Sequence, residues 1–430
     1  MGRFRETLKR RLPRPAHELL IDIKARFAPA PLEEIKLHDY LPEEDPSSAR
    51  RLTLVIPSLA SRTLFGGVAT GIELLFQIAR RSDAAPRILV DDFDREIDRP
   101  FVDTAARRAG FEPGDVEIVP RTAEAQPVKV AKNETFVTYN WWIQLNIRAM
   151  LEARRARLGG PVRPTIYLIQ EYEPLFYPMS STHLFARAAF ETKTGVWGVF
   201  NSSNLLEFFH RQGHAFEKEF LFEPTLSRSL RPHLLSGPTQ KEKCVLVYGR
   251  PLIPRNCFSA VVAGLRAWAE RYPQFADWRV VSAGYPHAPV ALGGGRQMAA
   301  LGKLSMDQYA ERLRRAAVGL SLMASPHPSY PPLEMAHFGV RTLTNAYLSK
   351  DPAKAHDNIV SLQDIAPGTI ADALARECAA FEEDPSAGWR ARSHMPGYLG
   401  EDPYPFLDAL AAELKGLDAA LETASEPWRN

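Results

Sequence analysis

A chain of 430 residues, 45% apolar and 24% charged, has material for two or three domains with sizeable cores. Its 53 Lys and Arg against 51 Asp and Glu leave a net charge of +2, so no chain-wide basic field points to nucleic acid. The longest uncharged stretch, Ala316–Leu333, has eighteen residues and four prolines, which excludes a spanning helix. No apolar signal core follows the basic N-terminus. Cys244, Cys257 and Cys378 are scattered and form no C-x-x-C pair, which argues against a disulfide scaffold and a structural zinc site and makes a reducing cytosol the expected compartment.

Residues 1–50 read as a basic N-terminal extension and tether. Residues 1–27 hold eight Lys/Arg and three Asp/Glu. Arg3 to Arg11 pattern as a basic amphipathic helix stopped by Pro13, which either lies on anionic lipid or packs as a solvated arm. Residues 28–50 are Pro-rich and acidic. From Arg51 the pattern changes to apolar runs of buried-strand type alternating with helical stretches. RLTLVIPSL, PRILVDDF, DVEIVP, ETFVTY, PTIYLIQ and GVWGVF read as strands; VATGIELLFQIARR, RPFVDTAARRAG, WWIQLNIRAMLEARRARL, HLFARAAFETK and NLLEFFHRQG read as helices. This predicts one doubly wound α/β domain over 51–235, ending in a polar, Pro- and Gly-containing linker.

A second α/β domain is predicted over 236–403, with strands KCVLVYG, WRVVSAG, QMAALG, AVGLSLMA and VRTLTNAY. A C-terminal helix follows within 404–430. Two Rossmann-like domains facing each other across a cleft place the site at the carboxyl ends of their strands.

Chemistry is concentrated in the second domain. Ser325-Pro-His-Pro-Ser-Tyr-Pro-Pro-Leu-Glu-Met-Ala lies where a buried strand ends and a helix begins. Ser329 is a candidate cap, the prolines suit a helix start, and a helix N-terminus attracts phosphate. Glu334 suits the same dipole and can accept hydrogen bonds from ligand hydroxyls; a rigid Pro-rich loop with a capping Glu is the alternative. Gly249-Arg250 and Gly302-Lys303 each put a cation just past a strand end. Two cations beside a helix start suit a diphosphate, and no metal is required.

YGRP…RN…F (248–258), LGKLS (301–305), SPHPSYPPLEMAHFG (325–339), IQEYEP-x-FYP (169–178) and the Asn201-Ser202 pair together resemble the GT-B glycosyltransferases, in particular the WsaF-like rhamnosyltransferases of surface polysaccharide assembly. The resemblance covers about 51–400, and by analogy with other GT-B folds it implies that the C-terminal helix at 404–423 crosses back onto the first domain. It implies a dTDP-β-L-rhamnose donor in the C-terminal domain, a glycan acceptor in the N-terminal domain, and retention at the anomeric carbon. It implies Arg250 and Lys303 on the diphosphate and Glu334 facing the nucleotide-sugar's hydroxyls. Ser329 and Tyr330 would lie near the phosphates or thymidine, and Gly66-Gly67 near the phosphates across the cleft. Many retaining members carry two glutamates eight residues apart; here the first position is Pro326, with His327 beside it. A UDP- or GDP-sugar, a GT-B-shaped enzyme of another class, and a non-catalytic glycan-binding module remain as alternatives.

Glu171 and Glu173 follow a strand of the first domain and would face the acceptor; Glu171, which directly ends the strand, is the candidate to take the acceptor hydroxyl's proton. Tyr172 and Tyr177, with Trp141 and Trp142, offer flat faces for sugar rings or, alternatively, core packing. Asp92-Phe-Asp94 has metal–diphosphate spacing but no supporting motif and reads as an acidic strand end. His210 and His214 have i, i+4 metal spacing without a third ligand. Gly293-Gly294-Gly295 lacks the Lys-Ser/Thr of a phosphate loop and reads as a turn. The expected protein is a cytoplasmic, metal-independent hexosyltransferase, peripheral at the membrane through residues 1–27.

Overall fold

The structure, a computed structural model, describes residues 31–47, 49–64, 66–93, 96–158, 162–191 and 195–424. The basic segment 1–27 and Asp94 lie outside the described residues.

The chain opens with helix α1 (Leu32–Lys36) and strand β1 (Tyr40–Asp45), then β2 (Arg51–Ile56), α2 (Gly67–Arg81), β3 (Ala85–Val90), α3 (Arg99–Arg108) and β4 (Glu117–Val119). Strands β5 (Gln126–Ala131) and β6 (Glu134–Thr138) precede α4 (Trp141–Leu158), β7 (Thr165–Ile169), α5 (Ser181–Ala188), β8 (Val196–Phe200), α6 (Ser203–Arg211) and β9 (Lys218–Leu221). Seven strands form one parallel sheet in the order β4-β3-β2-β6-β7-β8-β9. Its central strands are buried along their whole length, as apolar runs covered by helices on both faces must be. The order reverses between β2 and β6, which sets the ligand-binding crevice beside the loop that follows β2.

After α7 (Arg231–Leu235) the second sheet begins with β10 (Glu242–Gly249), followed by α8 (Phe258–Arg271), β11 (Arg279–Gly284), β12 (Val290–Gly293) and β13 (Arg296–Gly302). Then come α9 (Met306–Arg315), β14 (Ala316–Leu320), α10 (Tyr330–His337), β15 (Arg341–Asn345), β16 (Ile359–Leu362), α11 (Pro367–Glu383) and α12 (Ala387–Arg390). The strand order is β12-β13-β11-β10-β14-β15-β16, parallel except for the β12–β13 pair. The reversal falls between β10 and β14, so the loops carrying Arg250 and Ser325–Ser329 leave the sheet side by side. The two Rossmann-like sheets face each other across a cleft.

Helix starts are set by short polar side chains. Asp98 accepts the Phe101 N–H at 3.1 Å, Ser202 the Leu205 N–H at 3.2 Å, and Ser305 and Gln308 form a reciprocal capping box at the start of α9. The last helix, α13 (Leu407–Ala424), returns to the first domain, where Leu407, Leu410 and Leu414 join the core of Leu54, Ile72 and Leu75. Arg81–Asp408 and Lys218–Glu413 ion pairs flank that contact.

The segment expected to be a tether is packed instead. Residues Tyr40–Asp45 pair in parallel register with Gln126–Ala131 as a separate two-stranded sheet, and Tyr40 is buried beside Val55, Leu89 and Phe136. Its outward residues, Leu41, Glu43 and Glu44, are exposed, so a half-buried edge strand carries the composition of a linker.

Candidate active site

Cations stand at the carboxyl ends of the C-terminal sheet because β10 and β13 each finish on a glycine. At Gly249 a Cβ would meet Ser282 Oγ at 1.8 Å, so the chain can turn outward there only without a side chain. Arg250 follows; its guanidinium lies 4.4 Å from the centre of the Tyr285 ring and donates to Tyr285 Oη at 2.6 Å. Arg250 and Lys303 line one cavity of about 280 Å³ together with Tyr248, Tyr285, Leu304 and Tyr309. Tyr309 Oη donates to Glu334 Oε2 at 2.9 Å, and burial raises the Glu334 carboxyl to about 7. Glu334 therefore stands behind the cavity, joined to it through Tyr309, and does not line it.

A second cluster occupies the cleft itself. Glu171, just past β7, accepts a hydrogen bond from Ser325 Oγ of the opposite domain, and Arg255 Nε lies 4.0 Å from its carboxylate. Burial raises the pKa of Glu171, with Ser325, Arg255 and Lys350 acting against that shift. Lys350 is buried, donates to Met323 O at 2.7 Å, and is lowered by burial to about 8. His327 is buried and neutral, its pKa lowered to about 3 by burial and by the charges of Lys350 and Arg255. Its Nδ1 accepts the Ser329 N–H at 3.0 Å, which puts the ring proton on Nε2. That Nε2–H has no partner among the described residues and is a donor in waiting.

Ser329 does not cap α10 with its side chain. It takes φ +71° and ψ 140°, a conformation natural to glycine. With its N–H given to His327, and Pro331 and Pro332 lacking one, the first turn of α10 offers an anion fewer donors than a helix start ordinarily does. Tyr330 is partly exposed, with its ring 5.6 Å from that of His327.

Across the cleft, Gly66 has φ +54° with open space where a Cβ would stand, while a Cβ on Gly67 would meet Gln170 Oε1 at 2.1 Å and Tyr139 Oη at 2.3 Å. Gln170 Nε2 in turn donates to Gly67 O at 3.2 Å, pinning the loop to the end of β7.

Two residues expected to face the acceptor point elsewhere. The Tyr172 ring is buried among Phe190, Phe208 and Phe209, and its hydroxyl is 3.1 Å from His214 Nε2. Glu173 turns inward, accepts the Trp141 N–H at 3.1 Å and the Tyr167 hydroxyl at 3.3 Å, and is raised by burial to about 8. Trp141 is core, with Nε1 donating to Tyr177 Oη at 3.0 Å, and Trp142 Nε1 donates to Asp91 at 3.1 Å. His210 pairs with Glu219 and Asp92 with Lys36. Gly293–Gly295 all have positive φ and make the β12–β13 turn. Among the described residues no group of three or more His, Cys, Asp or Glu is placed to hold a metal ion, and no helix is long and apolar enough to cross a membrane.

Arg255 and Lys350 escaped the sequence reading. Arg255 lies in the RN pair that carries the resemblance, but nothing local marks Lys350, which reaches the cleft only because β15 and the following loop place it there.

Paired Rossmann-like sheets, with a cation-lined cavity at the ends of β10, β11 and β13 in one and a glycine loop at the switch point of the other, define the GT-B architecture. Residues 51–203 match the family described as WsaF, N-terminal domain, and residues 243–375 the family described as WsaF, C-terminal domain. The chain thus belongs to the GT-B glycosyltransferases related to WsaF. It is 28% identical over 354 residues to the O-antigen biosynthesis protein RfbC of Myxococcus xanthus, an alignment covering 79% of this chain and 26% of that protein; the chain thus spans about a quarter of that relative's length. Its fold is similar to that of sucrose-phosphate synthase from Thermosynechococcus elongatus (13% identity, 87% of this chain and 100% of that one, TM-score 0.50). It is likewise similar to α,α-trehalose 6-phosphate synthase from Burkholderia multivorans (13% identity, 89% and 100%, TM-score 0.50).

Proposed function

We propose that the protein transfers L-rhamnose, or a related deoxyhexose, from a dTDP-sugar to a growing surface glycan, without a metal and with retention. The observation that supports this reading most is the pairing of Arg250 and Lys303 on one cavity at the carboxyl ends of β10 and β13. The diphosphate sits between those cations, which stabilise its charge as the C1–O bond to phosphate breaks. The acceptor oxygen bonds C1, and Glu171 takes the hydroxyl's proton; burial makes that carboxylate a stronger base. His327 Nε2–H donates to the donor's sugar or phosphate oxygens in place of the first glutamate found in many relatives. Ser329 and Tyr330 border the same ligand, Gly66 and Gly67 approach its phosphates from the opposite domain, and Glu334 serves the nucleotide side through Tyr309. The acceptor side rests on Glu171 alone, since Tyr172 and Glu173 are engaged in the core. Similarity to WsaF and to RfbC supports the surface-glycan assignment. Peripheral contact of residues 1–27 with anionic lipid at the cytoplasmic face belongs to the same reading.

The test is a thermal-shift titration with dTDP, UDP, GDP and dTDP-rhamnose, with and without magnesium. A metal-independent rise in Tm selective for dTDP is expected, because a ligand bound only by the folded state stabilises it. A response to UDP or GDP alone changes the donor; no response to any nucleotide favours the glycan-binding module. Lys303→Ala should keep its Tm and lose at least about 100-fold in turnover; near wild-type turnover would remove the phosphate assignment.

A further inference from the structure

Lys350 is 1% exposed, and a charge buried that deeply is costly unless something is gained by it. Its Nζ has one hydrogen-bond partner among the described residues, Met323 O at 2.7 Å. That carbonyl does not depend on it. Met323 O also accepts the Ser325 N–H at 3.0 Å and Asn345 Nδ2 at 3.2 Å, while Asn345 Oδ1 takes the Met323 N–H at 2.7 Å. A neutral side chain of the same volume would fill the place at lower cost. What only a cation supplies there is charge. The chain also holds that charge firmly in position. Tyr347 and Lys350 exchange backbone hydrogen bonds of 3.0 and 2.9 Å around Leu348, whose φ is +54°. Between them Ser349 exchanges two more with Asn204 of the N-terminal domain, at 3.2 and 2.7 Å. One short loop is therefore fastened to both sides of the cleft.

We infer that Lys350 is a positioning residue for the transfer: it fixes the Met323–Ser325 segment against Glu171 and sets a positive charge where that carboxylate must stay ionised to take the acceptor's proton. The inference rests on the reading of Glu171 as that base. Ser325 stands two residues past Met323; its Oγ donates to Glu171 and accepts the His327 N–H at 3.0 Å. The Glu171 side chain keeps 15% exposure in the cleft, so an acceptor can reach it. Burial raises the Glu171 pKa, and Ser325, then Arg255, then Lys350 act against that rise. Burial lowers the amine of Lys350 to about 8, and Glu171 in turn favours its ammonium form. Burial alone would leave the proton on Glu171 and disable it; a fixed cation keeps the base both strong and ionised. The other groups around the pair add no competing charge: His327 and the buried-shifted Cys257 thiol are neutral, and Glu173 keeps its proton up to about pH 8. Arg255 is the second cation, but its side chain is 34% exposed and leans on Phe176 at the cleft rim, where salt screens it. Lys350 has no such screen.

The experiment needs no acceptor. The Tm of the full chain minus that of its Glu171→Gln variant is followed from pH 4 to 7.5 in high salt, below the pH of about 8 at which Lys350 itself titrates. The two proteins differ only in that carboxyl. Glu171 releases its proton at higher pH in the folded than in the unfolded chain, so the difference falls as pH rises and stops falling once folded Glu171 is ionised. In the wild-type pair it should level off before pH 7.5. With Lys350→Met in both members, the fall should continue to a pH about one unit higher, tenfold in proton affinity. Lys350→Gln is the second neutral variant should Lys350→Met not fold. Coinciding profiles overturn the inference, because a purely structural lysine lowers both Tm values alike at every pH. A wild-type profile still falling at pH 7.5 overturns it too, since Glu171 would then carry its proton at neutral pH. If Glu171 is not the base, Glu171→Gln keeps its turnover of dTDP-rhamnose while the profiles still separate, so failure of that reading and failure of this inference appear in different measurements.

Discussion

Ser329 is where local preference and global fold disagree most plainly. Its φ of +71° with ψ 140° belongs to glycine, and a side chain there stores roughly 1–3 kcal/mol. The strain persists because the Ser329 N–H is held by His327 Nδ1 and the helix that follows starts on Tyr330, Pro331 and Pro332. Ser329→Gly should therefore raise stability by about 1 kcal/mol, after the added freedom of the unfolded glycine is subtracted. A fall in Tm would mean that the hydroxyl makes a contact worth more than the strain. Glu173 gives a pH dependence with a definite sign. The folded protein keeps its proton up to about pH 8, whereas an ordinary carboxyl releases it near 4.5. Between those values the unfolded chain binds fewer protons, so stability falls as pH rises through the window. Glu173→Gln keeps an oxygen for the Trp141 N–H and cannot ionise. Its Tm should match the wild type near pH 5 and exceed it near pH 8; equal slopes from pH 5 to 8 would show that Glu173 does not carry the titration.

The helices that begin at the site are secured at their far ends by one buried lysine. Lys241 Nζ donates to Leu313 O at 2.8 Å, in the last turn of α9, and to Phe338 O at 2.6 Å, just past α10, with the Trp389 ring 4.5 Å away. Its amine, which burial and then the charge of Arg314 hold well below the usual lysine range, satisfies carbonyls that the two helix C-termini leave open. Lys241→Met removes both hydrogen bonds while filling the space, at a cost of about 2–4 kcal/mol in urea unfolding. A change below about 0.5 kcal/mol would show that water replaces the amine at those carbonyls. Legibility also varied by element. The positions of Arg250 and Lys303 were legible because each strand-like run ends on a glycine and the cation follows at once, after a buried run in β10 and a half-buried one in β13. The β1–β5 pair could not, because an edge strand with one buried face need bury only Tyr40, Pro42 and their partners, leaving Glu43 and Glu44 to give it a linker's composition.

At the scale of the molecule the chain is not partitioned as its order suggests. α13 comes last yet completes the N-terminal core, where Leu410 is fully buried beside residues from β2 and α2. Leu410→Ala should cost about 2–5 kcal/mol. Hydrogen exchange should locate the loss in β2 and α2 and leave β10 and β14 protected; faster exchange confined to the C-terminal sheet would contradict this assignment of the helix. The two domains also touch directly. Ser325 donates to Glu171, Arg255 covers Phe176, and Asn204 and Ser349 exchange hydrogen bonds of 3.2 and 2.7 Å.

Features governed by neighbours along the chain were readable from the amino acids alone: strand–helix alternation, the glycine–cation strand ends and the Pro-rich helix start. Backbone period and chain stiffness impose them within a few residues. The direction of a side chain beyond the end of a strand was not readable. Gln170 grips the Gly67 loop, Glu171 enters the cleft, Tyr172 fills the aromatic core and Glu173 turns under α4, four successive residues with four fates. Nor was the cluster of Glu171 with Arg255, Ser325, His327 and Lys350, whose members come from both domains; Glu171 and Ser325 alone are 154 residues apart. Burial and unpartnered donors arise only when those distant segments pack, so the electrostatics of the cleft belong to the assembled protein and to no local stretch of chain.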